Sequence, residues 1–187
     1  MVDLMSQPKN ILNVDGTIFE FPKHWRVSIF DEWEQFKRPA SELHLKGCDI
    51  VAFDGETLWL IEVKDYTYLD ASIPKDLTQI VGQKAAGTMA LLYALERREA
   101  ESHAVEFARA CSQTTRINLV LHIEVKDGGR KEHVPTLLAP FKNKLSSVGR
   151  SLGLAKSLIS SSAVSSSNIP WDARRDPQTR GLHSDRR

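Results

Sequence analysis

Between Gly47 and Tyr66 the chain reads GCDIVAFDGETLWLIEVKDY, two short apolar runs joined by Asp54-Gly55. Runs rich in β-branched and aromatic residues around an Asp-Gly pair are a strong local signal for a β-hairpin. The pattern predicts strands over Cys48–Phe53 and Thr57–Val63. Side chains alternate along a strand, so Leu60, Glu62 and Lys64 share one face, while Trp59, Ile61 and Val63 take the other and suit a core. A two-residue loop pairs Phe53 with Glu56 and Asp49 with Leu60. Asp49 then lies on the face of Glu62 and Lys64, one diagonal step from Glu62, roughly 7–8 Å at the backbone. An odd-numbered loop would send the acids to opposite faces.

Two carboxylates and a lysine gathered on one strand face are expensive as plain structure, because the carboxylates repel and their shared site favours a hard divalent cation. Hard oxygen donors favour Mg²⁺ or Mn²⁺, with water and phosphate oxygens completing the coordination. Such an ion acidifies bound water and stabilises charge on a phosphodiester. Lys64 could orient or deprotonate that water, or neutralise the developing charge.

An Asp opening one strand and Glu-x-Lys on the next, here Asp49 and Glu62-Val63-Lys64, resembles the core motif of the PD-(D/E)XK nucleases. The resemblance covers roughly residues 25–125, and only the hairpin is specific. It implies a restriction-endonuclease-like α/β fold in which Asp49 and Glu62 bind Mg²⁺ and Lys64 assists the attacking water. Cys48 stands where the motif's proline would be, a position that varies among such enzymes.

IEVKD also recurs at Ile123–Asp127. No Asp-bearing hairpin partner precedes this second copy, so Glu124 and Lys126 are read as a solvated strand end with a weak ion pair.

A long helix is predicted from about Pro74 to Arg98. On it Lys84 and Thr88 fall within about 20° of the middle of the stripe formed by Leu77, Ile80, Val81, Leu91, Leu92 and Leu95. A lysine there needs a partner. In the resembled family this helix sends polar groups toward the active site, so Lys84 is expected to meet the carboxylates or a substrate phosphate. The resemblance also implies an acid on the first helix near the metal, a place that Asp31 or Glu34 could fill. Asp31 is carried forward as a metal candidate.

Elsewhere, residues 1–17 read as a loose lead-in to a turn at Asp15-Gly16, followed by a strand over Thr17–Phe21 that Pro22 closes. A strand over about Trp25–Phe30 leads to a helix over Asp31–Arg38, which Ser28 could cap and Pro39 stops. A helix over Glu101–Cys111 and a buried strand over Arg116–Val125 precede a turn at Asp127-Gly128-Gly129. Pro135–Pro140 reads as extended and Phe141–Ser151 as a basic helix. Seven of the eleven residues 157–167 are serine, and the chain beyond is polar and Arg-rich. The reading is therefore an α/β domain over 1–156, a restriction-endonuclease-like mixed β-sheet flanked by helices on both sides, with a disordered Ser/Arg-rich tail over 157–187.

With 187 residues, 41% of them hydrophobic and 26% charged, the composition is that of one ordinary globular domain. No run is long and apolar enough to span a membrane, and Met1–Asn10 lacks the layout of a signal peptide. Two cysteines exclude a disulfide framework, and the six histidines lack ligand spacing. A cytoplasmic location is expected. The net charge of +1 hides a gradient, from −6 over residues 1–70 to +6 over 133–187. Between His133 and Trp171 stand Lys142, Lys144, Arg150 and Lys156 with no acid. Acids in one part and bases in another suit a metal site beside a polyanion. The expected function is a Mg²⁺-dependent endonuclease acting on DNA, with the basic segment holding the backbone. Sequence-specific cutting at this length would need a homodimer or a partner protein. The alternative is a nuclease fold without catalysis that binds nucleic acid or a partner protein. Tyr66, Tyr68 and Trp171 are possible base-stacking residues.

Overall fold

The structure is a computed structural model that describes residues 9–68, 70–126, 130–164 and 166–178. Its centre is β5 (Thr57–Tyr66) beside β6 (Arg116–Val125), parallel and in continuous register from Thr57↔Arg116 to Tyr66↔Val125. Both strands are buried through most of their length, as their largely apolar sequences suit strands covered on both faces. Their crossover is made by α2 (Leu77–Glu96) and α3 (His103–Cys111). A second parallel crossover, α4 (Val134–Ser151), leads to β7 (Lys156–Ser160) beside β6. On the other side β4 (Ile50–Phe53) and β3 (Arg26–Ile29) pair antiparallel, giving the order β3-β4-β5-β6-β7. From β3 a short 3₁₀ turn over Phe30–Glu32 enters α1 (Glu34–Leu43).

The two faces of this sheet are covered differently. Leu58, Leu60, Leu119, Leu121 and Ile123 pack on the helices, chiefly through Leu77, Val81, Ala85 and Leu95 of α2. Ile50, Ala52, Trp59, Ile61, Val63 and Val120 pack instead on Phe19, Phe21, Trp25 and Trp171. That second cover is a three-stranded sheet of β1 (Lys9–Val14), β2 (Thr17–Pro22) and β8 (Asp172–Arg175), in the order β1-β2-β8. The expectation of helices on both sides is thus corrected. Aromatic side chains from sequence-distant strands make a flat apolar face that a sheet covers as well as a helix does.

Four further expectations change. The lead-in holds a strand: β1 pairs with β2 from Lys9↔Pro22 to Val14↔Thr17, and Asp15-Gly16 is the two-residue hairpin turn, with φ of 46° and 71°. Positive φ at both positions is the type I′ geometry that Asp-Gly favours. Pro39 lies inside α1, which runs on to His44 in the left-handed conformation (φ 52°). Ser28 does not cap α1; its hydroxyl accepts a 2.7 Å bond from the Trp33 indole. Pro135 begins α4 rather than an extended segment: it sits in the first turn, where no N–H is needed. Pro140, inside the same helix, is tolerated because Val134, Leu138 and Leu145 bury their side chains around it. The helices over 77–96 and 103–111 and the strand over 116–125 follow the sequence reading, while the turn at 127–129 lies outside the described residues.

The C-terminal segment is ordered where it is described. Ser157–Ser160 complete the edge strand of the large sheet, and β8 pairs with β2 from Thr17↔Arg175 to Glu20↔Asp172. Trp171 is buried against Phe21, Trp25 and Trp59 rather than offered for base stacking. Serine-rich composition misleads here because one tryptophan and two short ladders anchor the segment. Residues 179–187 lie outside the described residues.

Candidate active site

The hairpin register decides the geometry of the acids. Ile50 pairs with Ile61 and Phe53 with Leu58, so the loop has four residues, Asp54–Thr57, instead of two. Asp54 closes it, its side chain accepting from the N–H groups of Glu56 and Thr57 and from the Trp59 indole. Because both loop lengths are even, parity survives, but the strands shift by two residues. Asp49, just ahead of β4, comes directly opposite Glu62 rather than diagonal to it.

Asp49 continues the sheet with both backbone and side chain. Its carbonyl accepts from Phe30 N–H at 2.8 Å, and its Oδ2 accepts from Val63 N–H at 2.7 Å. The preceding N–H, on Cys48, donates to Thr88 Oγ1 of α2 at 2.8 Å. The carboxylate is thereby fixed from both sides.

Lys64 and Lys84 converge on the acids. Glu62 Oε1 lies 2.5 Å from Lys64 Nζ and 2.6 Å from Lys84 Nζ. Asp49 lies 3.3 Å from Lys84 through Oδ1 and 4.0 Å from Lys64 through Oδ2. The contacts to Glu62 are ion pairs by distance but are poorly aligned as hydrogen bonds, and Glu62 Oε2 is buried without any partner among the described residues. Glu62 is fully buried and Asp49 nearly so. Burial, reinforced by the Asp49 charge, pushes the Glu62 carboxyl up to about 7 against the pull of Lys84 and Lys64. For Lys84, burial lowers the ammonium pKa, but Glu62 and Asp49 outweigh it and the net shift is upward. Lys84 is thus firmly cationic, in the stripe position where its charge needed a partner.

Asp31 sits on the 3₁₀ turn whose Phe30 N–H binds Asp49. Partial desolvation and the Asp49 charge push its carboxyl up to about 6, with Lys84 and Lys64 opposing. The residue is exposed by area, so solvent screening tempers the effect. Asp31 faces the cluster without joining it: among the described residues no three acidic, His or Cys side chains converge as a ready ligand set. Asp15, which sequence reasoning took only for a turn residue, is the missed acid. Its carboxyl is raised by desolvation and by Asp49 and Asp65, while Lys64 and Lys84 lower it. Only the folding of the β1–β2 hairpin over the sheet brings it near. Arg175 of β8, read as tail, also reaches this end of the sheet and binds Asp65 at 2.8 Å.

Glu124, the acid of the second IEVKD copy, lies on the other face. Lys64 aligns with Ile123 and Asp65 with Glu124, an offset of three residues that reverses the faces. Lys126 is exposed as expected, but Glu124 is buried and hydrogen-bonded to His122 and to Ser162 N–H, not a solvated strand end. The parallel register forces this, since burying β6 on both faces leaves no wet side for residue 124.

Among the described residues no helix is long and apolar enough to cross a membrane. No family model matches the chain, and no solved structure matches it. A partial likeness links it to a cysteine–tRNA ligase of Neisseria meningitidis (serogroup A / serotype 4A), 28% identical over 139 residues. That alignment takes in 57% of this chain and 20% of the ligase, so the chain spans about one fifth of that protein's length.

Proposed function

We propose that the chain is a divalent-cation-dependent nuclease that hydrolyses phosphodiester bonds in DNA at a PD-(D/E)XK-like site. The reading is carried by Asp49 and Glu62 standing opposite each other on neighbouring strands, with Lys64 and Lys84 converging on them. The donor set fits Mg²⁺ or Mn²⁺. Two carboxylates and an unpartnered buried oxygen, Glu62 Oε2, offer hard ligands, and Mg²⁺ ordinarily takes one or two protein carboxylates and keeps several waters. When bound, the cation supplies an acidified water and stabilises charge on the phosphate.

The chain's own groups do the positioning. Val63 N–H holds Asp49 Oδ2 and so orients the carboxylate. Lys64, at the more accessible side of the cluster, orients or deprotonates the attacking water. Lys84 balances the carboxylates and contacts the scissile phosphate as negative charge develops. Lys142, Lys144, Arg150 and Lys156 are exposed and hold the DNA backbone without reading sequence.

Plasmid DNA, single-stranded DNA and tRNA, the last included because of the partial likeness to a tRNA ligase, are incubated with purified protein and Mg²⁺ or Mn²⁺. DNA cleavage that disappears in Asp49→Ala and in Lys64→Ala is expected. Cleavage that survives in both variants removes the reading. DNA binding with neither cleavage nor cation uptake would instead favour the nuclease fold as a binding module.

A further inference from the structure

On the face of the large sheet opposite the acid–lysine cluster, β6 and β7 carry a buried chain of polar groups. His122 pairs with Ser160 in the parallel register, and its Nδ1 lies 2.9 Å from Ser160 Oγ. Its Nε2 lies 2.8 Å from Glu124 Oε1. His122 is fully buried, and Glu124 and Ser160 are 4% and 7% exposed. A carboxylate only accepts, so Nε2 carries the hydrogen and Nδ1 is left to accept the Ser160 hydroxyl proton. Glu124 is held by Ser162 N–H at 2.6 Å and by the Ser161 hydroxyl at 3.5 Å. Burial pushes its carboxyl up, but the bonds from His122 and Ser162 outweigh this and leave it below the usual range.

Carboxylate, imidazole and hydroxyl in this order are what a nucleophilic serine requires. A relay used only to fill a core would need no cavity, yet Ser160 and His122 help to wall one of about 160 Å³, together with Ser161, Ser162, Ile169 and Trp171. The Trp171 indole N–H is buried with no acceptor among the described residues. The wall thus includes a nucleophile and its base, with the orienting acid Glu124 behind them. The volume suits a few heavy atoms, since a water occupies roughly 30 Å³ in the liquid.

We propose that this cavity is a second site, at which Ser160 accepts the acyl group of a small ester and passes it to water. Ser160 Oγ bonds to the acyl carbon while its proton moves to His122 Nδ1, with Nε2–H still donating to Glu124 Oε1. The bond from acyl carbon to leaving oxygen then breaks, and His122 returns the proton to the departing alcohol. Water repeats the sequence: its proton goes to Nδ1, its oxygen bonds to the acyl carbon, and Ser160 leaves with the proton restored.

The test uses the full chain in EDTA, so that divalent-cation chemistry takes no part, with a fluorophosphonate probe and p-nitrophenyl acetate. One fluorophosphonate per chain is expected on Ser160 by peptide mass spectrometry, displacing fluoride, and heating the protein to unfold it beforehand should abolish labelling. Nitrophenol release should fall at least ~100-fold in Ser160→Ala and in Glu124→Gln. Folded wild-type protein that takes no label at Ser160 overturns the proposal, whatever the variants do. Labelling or ester turnover that persists unchanged in Ser160→Ala overturns it equally.

Discussion

At the scale of single residues, the acid–lysine cluster is a balance of burial against charge. Glu62, raised to about 7, must give up its proton before a cation can share its oxygens. Protons and cation therefore compete, and the protonated fraction grows as pH falls below about 7. Calorimetric Mg²⁺ titration should show weaker binding at pH 6 than at pH 8 by about tenfold, and no binding in Glu62→Ala. Lys84 lowers the Glu62 pKa, so Lys84→Met should raise it and move the acid limb of the cleavage pH profile upward, with kcat down at least ~10-fold. Glu124 behaves oppositely. Its folded pKa lies below the usual glutamate range, so its contribution to stability is present above that range and is lost as pH falls through the folded value. Thermal melts between pH 3 and 7 should show a shallower acid decline in Glu124→Gln than in wild type. Asp49, Glu62, Lys64 and Lys84 were legible in the sequence because strand alternation and the helix stripe are local patterns. Asp15 was not, because nothing near it in sequence says what its hairpin folds against.

At the scale of elements, α2 aligns the site through two positions one residue apart. A methyl group at Gly87 would sit 1.9 Å from the Lys46 carbonyl oxygen, a backbone atom that cannot swing aside. Thr88 Oγ1 accepts from Cys48 N–H and donates to the Lys84 carbonyl at 2.9 Å, tying the helix to the residue before Asp49. Thr88→Val should leave a buried N–H unpaired and cost about 1–3 kcal/mol, read by urea denaturation. Gly87→Ala should be worse for cleavage than for stability, because it pushes the Lys46–Asp49 segment away from the helix that carries Lys84. The apolar period of α2 and the alternation of β4 and β5 could be read directly. The hairpin register could not: Asp-Gly announces a turn, but the Asp54 side chain's bonds to three donors decide that it spans four residues. Pro140 misled for a related reason, since its helix-breaking cost is offset by tertiary burial that the local sequence does not display.

At the scale of the whole molecule, two sequence-distant ends close one core. Phe19 and Phe21 of β2 and Trp171 ahead of β8 cover the face formed by Ile50, Trp59, Ile61 and Val63. β7 completes the edge beside β6, where Ala155 N–H donates to the Ile117 carbonyl at 2.8 Å. A chain ending at Lys156 should therefore lose cooperative folding instead of shedding an inert tail. Circular dichroism melts and limited proteolysis would check this, and a truncated protein that keeps the full-length melting transition would count against the packing described.

The sequence by itself determined the local order: the strands at β4, β5 and β6, the even parity of the carboxylate hairpin, the apolar stripe of α2 and the misplaced lysine within it. These follow from periodicity and turn chemistry, which act over a few residues. Tertiary structure alone decided that Asp49 faces Glu62 squarely, that Asp15 and Arg175 gather at the same end of the sheet, and that Glu124 lies on the opposite face beside His122 and Ser160. Those outcomes depend on which distant segments bury the sheet's second face and on the register of parallel strands. Both are settled by packing across the whole chain rather than by any stretch of it.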